Sequence, residues 1–251
     1  MIDAIALQQV TDEEDEIVAP DVSNLVTEDD TPVDGIFSER QMRLLTDSLY
    51  TSWAGPGAGR TFVAMANVAL YASTEQPPLV PDVLVSLDVQ LPASPFPKQN
   101  RSYFIWQYGK PPEVAIEVVS NRKGGELGNK LLDYARLGIA YYVVYDPEGH
   151  LSAEPLRIFA RQETRLFEMT SLWLRDLDLG FVLWQGEYEG MQGIWLRWCN
   201  QAGEVLATGV EAATAAQRRA ESESRRAESE HERAEQLAAK LRALGIDPDV
   251  P

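Results

Sequence analysis

The order of periodic segments in this chain predicts a mixed α/β (α+β) fold. A helix, three strands, a helix and a strand (αβββαβ) are followed by an antiparallel β extension and one long C-terminal helix. Three observations carry that prediction. The first is a nearly unbroken apolar run, Val114 to Val119, rich in valine and isoleucine and bounded by prolines and glycines, which reads as a central buried strand. The second is helical spacing on either side of it, with Met42, Leu45, Leu49 and Trp53 on one face before the run and Leu127, Leu131, Tyr134 and Ala135 after it. The third is a change of composition at Glu204 to Ala, Glu, Arg and Ser, with no proline or glycine between Val210 and Leu244.

Charge divides the 251 residues into three parts. The net charge of −17 is concentrated at the N-terminus, where residues 1–34 hold eleven acids and no Lys or Arg. Such a segment, poor in aromatics and without a sustained period, is expected to be an acidic disordered tail. Residues 35–203 are close to neutral and form the expected globular domain, and residues 204–251 form the charged helical arm. The near-neutral middle lacks the strongly basic balance of a dedicated nucleic-acid-binding domain. The single cysteine, Cys199, excludes an intrachain disulfide and a cysteine metal cluster. No apolar run approaches the ~20 residues needed to span a membrane, and no basic stretch precedes the short apolar start, so a cytoplasmic, reducing setting is expected.

In chain order, Ser38-Glu39-Arg40-Gln41 opens the first helix in a capping-box pattern, and Gly55-Pro56-Gly57 ends it. Thr61 to Tyr71 reads as a strand, and Leu79 to Val89 as a second that contains Pro81-Asp82 near its start. A proline-rich loop spans 90–111. The central strand follows, then a helix over Glu126 to Leu137 capped by Gly138, then a buried strand over Tyr141 to Tyr145. Shorter β pieces follow at 156–160, 165–169, 179–184 and 193–198, with turns read at Gln185-Gly186 and Gln192-Gly193. In the C-terminal helix Ala213, Ala220, Ala227, Ala234 and Leu241 recur every seven residues, the spacing of a coiled coil. Glu223, Ser224, Glu230 and His231 stand where large apolar side chains would be wanted, so a solvated single helix with i,i+4 charge pairs fits equally well.

Chemistry is concentrated at Asp82, Glu117 and Lys130. Glu117 interrupts the apolar run, and a carboxylate inside a buried strand is expensive unless it is paired or binds a metal. Two carboxylates on adjacent strands can converge on Mg²⁺, a hard cation that takes carboxylate oxygens and keeps several waters. A lysine beside them orients an attacking water or neutralises developing negative charge. Taken singly, each residue has a plainer explanation: Asp82 as a turn former after proline, Glu117 as the structural partner of Lys130 or Arg136, and Lys130 as the i+4 partner of Glu126. Histidine-dependent catalysis is disfavoured, because His150 and His231 sit at a turn and in the charged helix. Gly124-Gly125 is too short for a phosphate-binding loop.

Three stretches together resemble the Uma-two family, restriction-endonuclease-like proteins of the PD-(D/E)XK nuclease superfamily. They are Val80-Pro81-Asp82-Val83-Leu84-Val85, Glu113 to Ser120, and the continuous run from Lys130 to Pro147. The resemblance spans Ile36 to Phe181 and implies a restriction-endonuclease-like core. It implies Asp82, Glu117 and the Val118 backbone carbonyl as ligands of Mg²⁺ (or Mn²⁺), Lys130 as the catalytic lysine, DNA as substrate, and a homodimer formed through the globular domain. Two departures accompany it. Val119 occupies the position two residues after the acid where the superfamily usually has its lysine, and Asn121-Arg122-Lys123 replaces the usual small-residue turn. Lys123 is therefore a second candidate for the lysine, and Glu39 a candidate extra acid. The alternative function is a catalytically inactive nuclease-fold module acting through its coiled-coil-like tail.

Overall fold

The computed structural model describes residues 19–27, 35–57, 59–121 and 125–244 of the chain. Helix α1 (Ile36–Ser52) buries Met42, Leu45 and Leu49, the face its spacing predicts. It starts two residues before the expected cap. Gly35 takes the N-cap position without a side-chain bond, and Ser38 lies buried inside the first turn.

The expected strand from Thr61 to Tyr71 is two strands. β1 (Phe62–Ala66) ends where Asn67 takes a left-handed conformation (φ 53°), a geometry asparagine tolerates better than most residues. β2 (Leu70–Tyr71) then leaves the main sheet. β3 (Val83–Leu87) returns antiparallel to β1. The long loop contributes β4 (Tyr103–Phe104), which pairs parallel with β2, and a single helical turn, α2 (Ile105–Tyr108). β5 (Val114–Val118) is buried at every residue. α3 (Asn129–Leu137) ends on Gly138, whose φ of 88° is the left-handed cap its position predicts. β6 (Tyr141–Tyr145) pairs parallel with β5, so α3 is the crossover that a parallel pair requires.

β7 (Leu156–Gln162) and β8 (Arg165–Glu168) complete a six-stranded sheet in the order β1-β3-β5-β6-β7-β8, with every pair antiparallel except β5–β6. A second sheet combines β9 (Trp173–Leu174), β10 (Leu179–Tyr188) and β11 (Met191–Cys199). The turn between β10 and β11 falls at Glu189-Gly190, with φ of 48° and 79°, the signature of a two-residue hairpin of the primed type. Gly186 and Gly193, read from sequence as turn residues, lie inside the strands. Gly186 makes room for a ring instead. A Cβ there would sit 2.2 Å from the Trp184 ring, so the glycine lets that ring lie flat along its own strand.

One core lies between the main sheet, α1 and the β10–β11 hairpin. It joins Leu45 and Leu49 to Val83, Val85, Ile116 and Val143, and to Leu196 and Trp198. Gln41 fastens helix to hairpin, donating to Leu196 O at 2.8 Å and accepting from Leu196 N at 3.0 Å. The other face of the sheet carries Leu84, Ala115, Val119, Tyr142 and Val144 against Tyr134 and Ile139. Within the N-terminal stretch expected to be disordered, residues 19–27 are described and touch the body. The Tyr71 hydroxyl donates to Val26 O, and Lys98 Nζ donates to Ser23 O at 2.5 Å.

The C-terminal arm is a single helix, α4 (Gly209–Ala243), within one residue of its predicted start and end. Its 35 residues reach about 50 Å at 1.5 Å per residue. No residue of α4 is buried, and Leu237 is 61 % exposed, so the heptad seam has no cover among the described residues. The arm is held at its base. Thr208 and Glu211 form a capping box, and the Arg197 guanidinium, 2 % exposed, makes two bonds to the Glu211 carboxylate at 2.8 and 2.6 Å and a third to Leu206 O at 2.8 Å.

Replacing Glu211 with alanine leaves that guanidinium buried with one acceptor and removes one half of the capping box, the bond from Thr208 N–H, while Thr208 Oγ1 still caps residue 211. The expected loss is about 2 kcal/mol, the low end for a buried pair because Glu211 is itself 41 % exposed. Arg197 holds the Glu211 carboxyl below its ordinary value of 4.5, so the contribution is complete above that pH and disappears as pH falls through the lowered value. Urea unfolding should show the gap between variant and parent at pH 7 and its narrowing as pH falls below 4.5. A gap under ~0.5 kcal/mol at pH 7 would count against the anchor.

Candidate active site

β5 and α3 build the site between them. Side chains alternate along a strand, so Val114, Ile116 and Val118 enter the core with α1 while Ala115 and Glu117 face α3. Lys130 and Tyr134 are four residues apart and share one side of the helix. Both reach the same carboxylate. Lys130 Nζ donates to Glu117 Oε2 at 2.8 Å, and the Tyr134 hydroxyl donates to Oε1 at 2.6 Å. Glu117 is 3 % exposed, so each of its oxygens is compensated where water cannot do it.

Asp82 immediately precedes β3. The antiparallel register pairs Val83 with Ile116, and one further step sets Asp82 opposite Glu117. Its Oδ2 accepts the Val118 backbone N–H at 2.6 Å, which orients the carboxylate beside the strand that carries Glu117. Glu126, in the turn before α3, is 6 % exposed and lies 3.5 Å from Lys130 Nζ through Oε1. One ammonium therefore stands among Glu117, Glu126 and the nearby Asp82.

The electrostatics follow from this crowding. Burial pushes the Glu117 carboxyl from 4.5 up to about 7, with Asp82 adding to the rise and Lys130 opposing it. Burial alone would lower the Lys130 ammonium, but Glu117 and Glu126 outweigh it and the net shift is upward. Burial and the neighbouring Glu117 carry the Tyr134 hydroxyl well above its ordinary value. Near neutral pH, lysine and tyrosine are thus fixed donors and Glu117 is the group that titrates.

Of the residues singled out from sequence, Asp82, Glu117 and Lys130 are brought together. At Val118 the backbone contact with this cluster is its N–H, bonded to Asp82. Glu39 lies elsewhere, paired with Arg43 at 2.8 Å on α1 and not with this cluster. Lys123 falls outside the described residues. Sequence reasoning does not single out Tyr134 and Glu126 as site residues, because one matches a core-lining pattern and the other an ordinary helix pair. The spacing 126, 130, 134 is the available signal, since it would line one face of a helix read from Glu126 onward.

A mixed sheet flanked by helices, with a buried acid–lysine pair at the central strand, defines a restriction-endonuclease-like protein. Residues 28–181 match the model of the Uma2 family, described as "Putative restriction endonuclease", and the chain belongs to that family. Searches among curated proteins and among solved structures find no match. The family span takes in the whole six-stranded sheet, α3 and the site, and ends inside β10.

The raised Glu117 value has a testable sign. The folded protein holds this proton more tightly than the unfolded chain, so the group's contribution is complete below 4.5 and is lost as pH rises to about 7. A shift of that size corresponds to a loss on the order of 3 kcal/mol. Relative to Glu117→Gln, the metal-free protein should lose stability by about that amount between pH 4.5 and pH 7.5 in denaturant titrations. A constant difference across the range would mean that Glu117 titrates as an exposed carboxylate does.

Proposed function

We propose that this protein is a Mg²⁺-dependent endonuclease that hydrolyses DNA phosphodiester bonds in the cytoplasm, with Mn²⁺ able to replace Mg²⁺. The observation that carries the reading is the buried Glu117, tied to Lys130 and Tyr134 with Asp82 opposite it in the register. Asp82, Glu117 and the Val118 carbonyl are the proposed ligands. Among the described residues no three His, Cys, Asp or Glu side chains form a ready-made cage. Two carboxylates suit Mg²⁺, which keeps much of its water. When bound, the cation polarises the phosphodiester and lowers the pKa of an attacking water.

The chain's own residues have defined roles in this reading. Val118 N–H holds the Asp82 carboxylate in place, and Tyr134 fixes the plane of Glu117. Lys130 stays protonated, because its ammonium is shifted upward, so it acts by charge and hydrogen bonding on a phosphoryl oxygen or the attacking water and not as a general base. The proposed division of labour gives residues 35–203 the nuclease domain, with 1–34 an acidic tail and 204–251 an arm. The proposed assembly is a homodimer through the globular domain, which sedimentation of the full chain measures directly.

The test is cleavage of supercoiled plasmid by the purified chain with Mg²⁺, compared with Asp82→Ala and Glu117→Ala. Each substitution should reduce the rate by about 10² or more. Equal rates in all three proteins would assign the cleavage to a contaminant. A second reading, an inactive nuclease-fold module acting through its tail, draws on two observations: both Glu117 oxygens already have internal partners, and α4 buries none of its residues. That reading expects no cleavage by the parent protein and nucleic-acid or protein binding that depends on α4.

A further inference from the structure

Glu126 is a buried carboxylate whose hydrogen bonding is incomplete. It is 6 % exposed, Oε2 has no partner among the described residues, and Oε1 reaches Lys130 Nζ only at 3.5 Å. A carboxylate–ammonium bond at full strength is about 2.7–2.9 Å, so the approach is a loose one. Glu126 is not an ordinary surface pair of α3, because α3 begins at Asn129 and Glu126 lies in the preceding turn. That turn is pinned from below, where the Tyr142 hydroxyl donates to Glu126 O at 3.1 Å. A half-used buried carboxylate works against folding, and an apolar side chain would serve stability better. Its place next to Lys130 supplies another reason for it.

Lys130 has three N–H donors and spends its best one on Glu117 Oε2. If Glu117 turns that oxygen to a divalent cation, the ammonium loses its acceptor and faces like charge. We propose that Glu126 is a positioning residue for Lys130: its half-used carboxylate is the seat that holds the ammonium at the site when Glu117 is drawn to a divalent cation. The inference rests on the reading of Asp82 and Glu117 as metal ligands. It needs no large motion, since the two acceptors already flank Nζ at 2.8 and 3.5 Å. It also gives Oε2 a use, as the acceptor left open for that state.

Mn²⁺ titrated into the metal-free full-length protein by calorimetry tests this, with cooperative thermal unfolding confirming that each variant is folded. Glu126→Gln should weaken Mn²⁺ binding by about 10- to 100-fold, the usual effect of removing a group that orients a ligand. Glu126→Asp should recover part of the loss and also serves if the glutamine variant fails to fold. In a Lys130→Met background the Glu126→Gln effect should vanish, because there is no ammonium left to hold. Persistence of the full loss in that background would overturn the proposal, since Glu126 would then act on the metal directly. Unchanged affinity in Glu126→Gln, with Glu117→Gln losing Mn²⁺, would overturn it while leaving the metal site standing. No Mn²⁺ binding by the parent protein would remove the metal reading, and this inference with it.

Discussion

A carboxylate in the middle of a strand buried at all five residues is the constraint to which the architecture responds. Glu117 cannot reach solvent, so compensation must come from the element packed on its face of the sheet. That element is α3, and α3 is there for a topological reason. β5 and β6 run parallel, and a parallel pair needs a crossover long enough to return the chain to the same end of the sheet. The crossover that closes the sheet thus delivers Lys130 and Tyr134 to the acid. Sheet topology and charge compensation meet in nine residues of helix.

Much of this is readable from the sequence because an acid in an apolar run has few explanations. The alternation along Val114 to Val119 assigns Glu117 to one face, and Gly138 marks the end of the helix behind it. Asp82 is readable for a related reason, since it stands at the head of the next apolar run. The misread positions are those where one residue type has two uses. Gly186 and Gly193 resemble turn residues, yet they lie inside a hairpin whose turn is at Glu189-Gly190, and Gly186 makes room there for the Trp184 ring. Asn67 breaks a strand whose alternation continues straight through it, because alternation reports burial and not backbone direction. Ser38 carries the right chemistry for a cap, but helix α1 starts earlier because Ile36 and Phe37 can join it. Tyr134 is hidden by its own apolar ring, which lines the core while its hydroxyl serves the acid.

Two cations hold different parts of this molecule, and their chemistry differs in a way that fits what each one holds. Arg197 anchors the long C-terminal helix. Its planar fork engages Glu211 with two bonds and Leu206 O with another, and its face lies 4.9 Å from the Trp184 ring centroid. Each of those contacts depends on the orientation of the plane, so the group is fixed in one pose. A rigid joint is what an exposed arm about 50 Å long requires if its direction is to be defined at the base.

Lys130 is the contrary case. An ammonium is a compact charge with three rotatable donors, and it can pass from one carboxylate to another with little reorientation. Around it stand one fully bonded acid, Glu117, and one, Glu126, whose Oε2 has no partner among the described residues. An arginine in this place would demand a planar acceptor pair and would resist the exchange. Fixed geometry lies in the elements around the lysine: the Tyr134 hydroxyl on one Glu117 oxygen, the Val118 N–H on Asp82, and the Tyr142 hydroxyl under the Glu126 turn. Neutral donors from the sheet and helix thus hold Glu117, Asp82 and the backbone of the Glu126 turn, and the charged donor among these acids is the lysine. A site meant only to neutralise a buried acid would have no use for the second carboxylate. The proposed exchange of partners around a divalent cation gives it one.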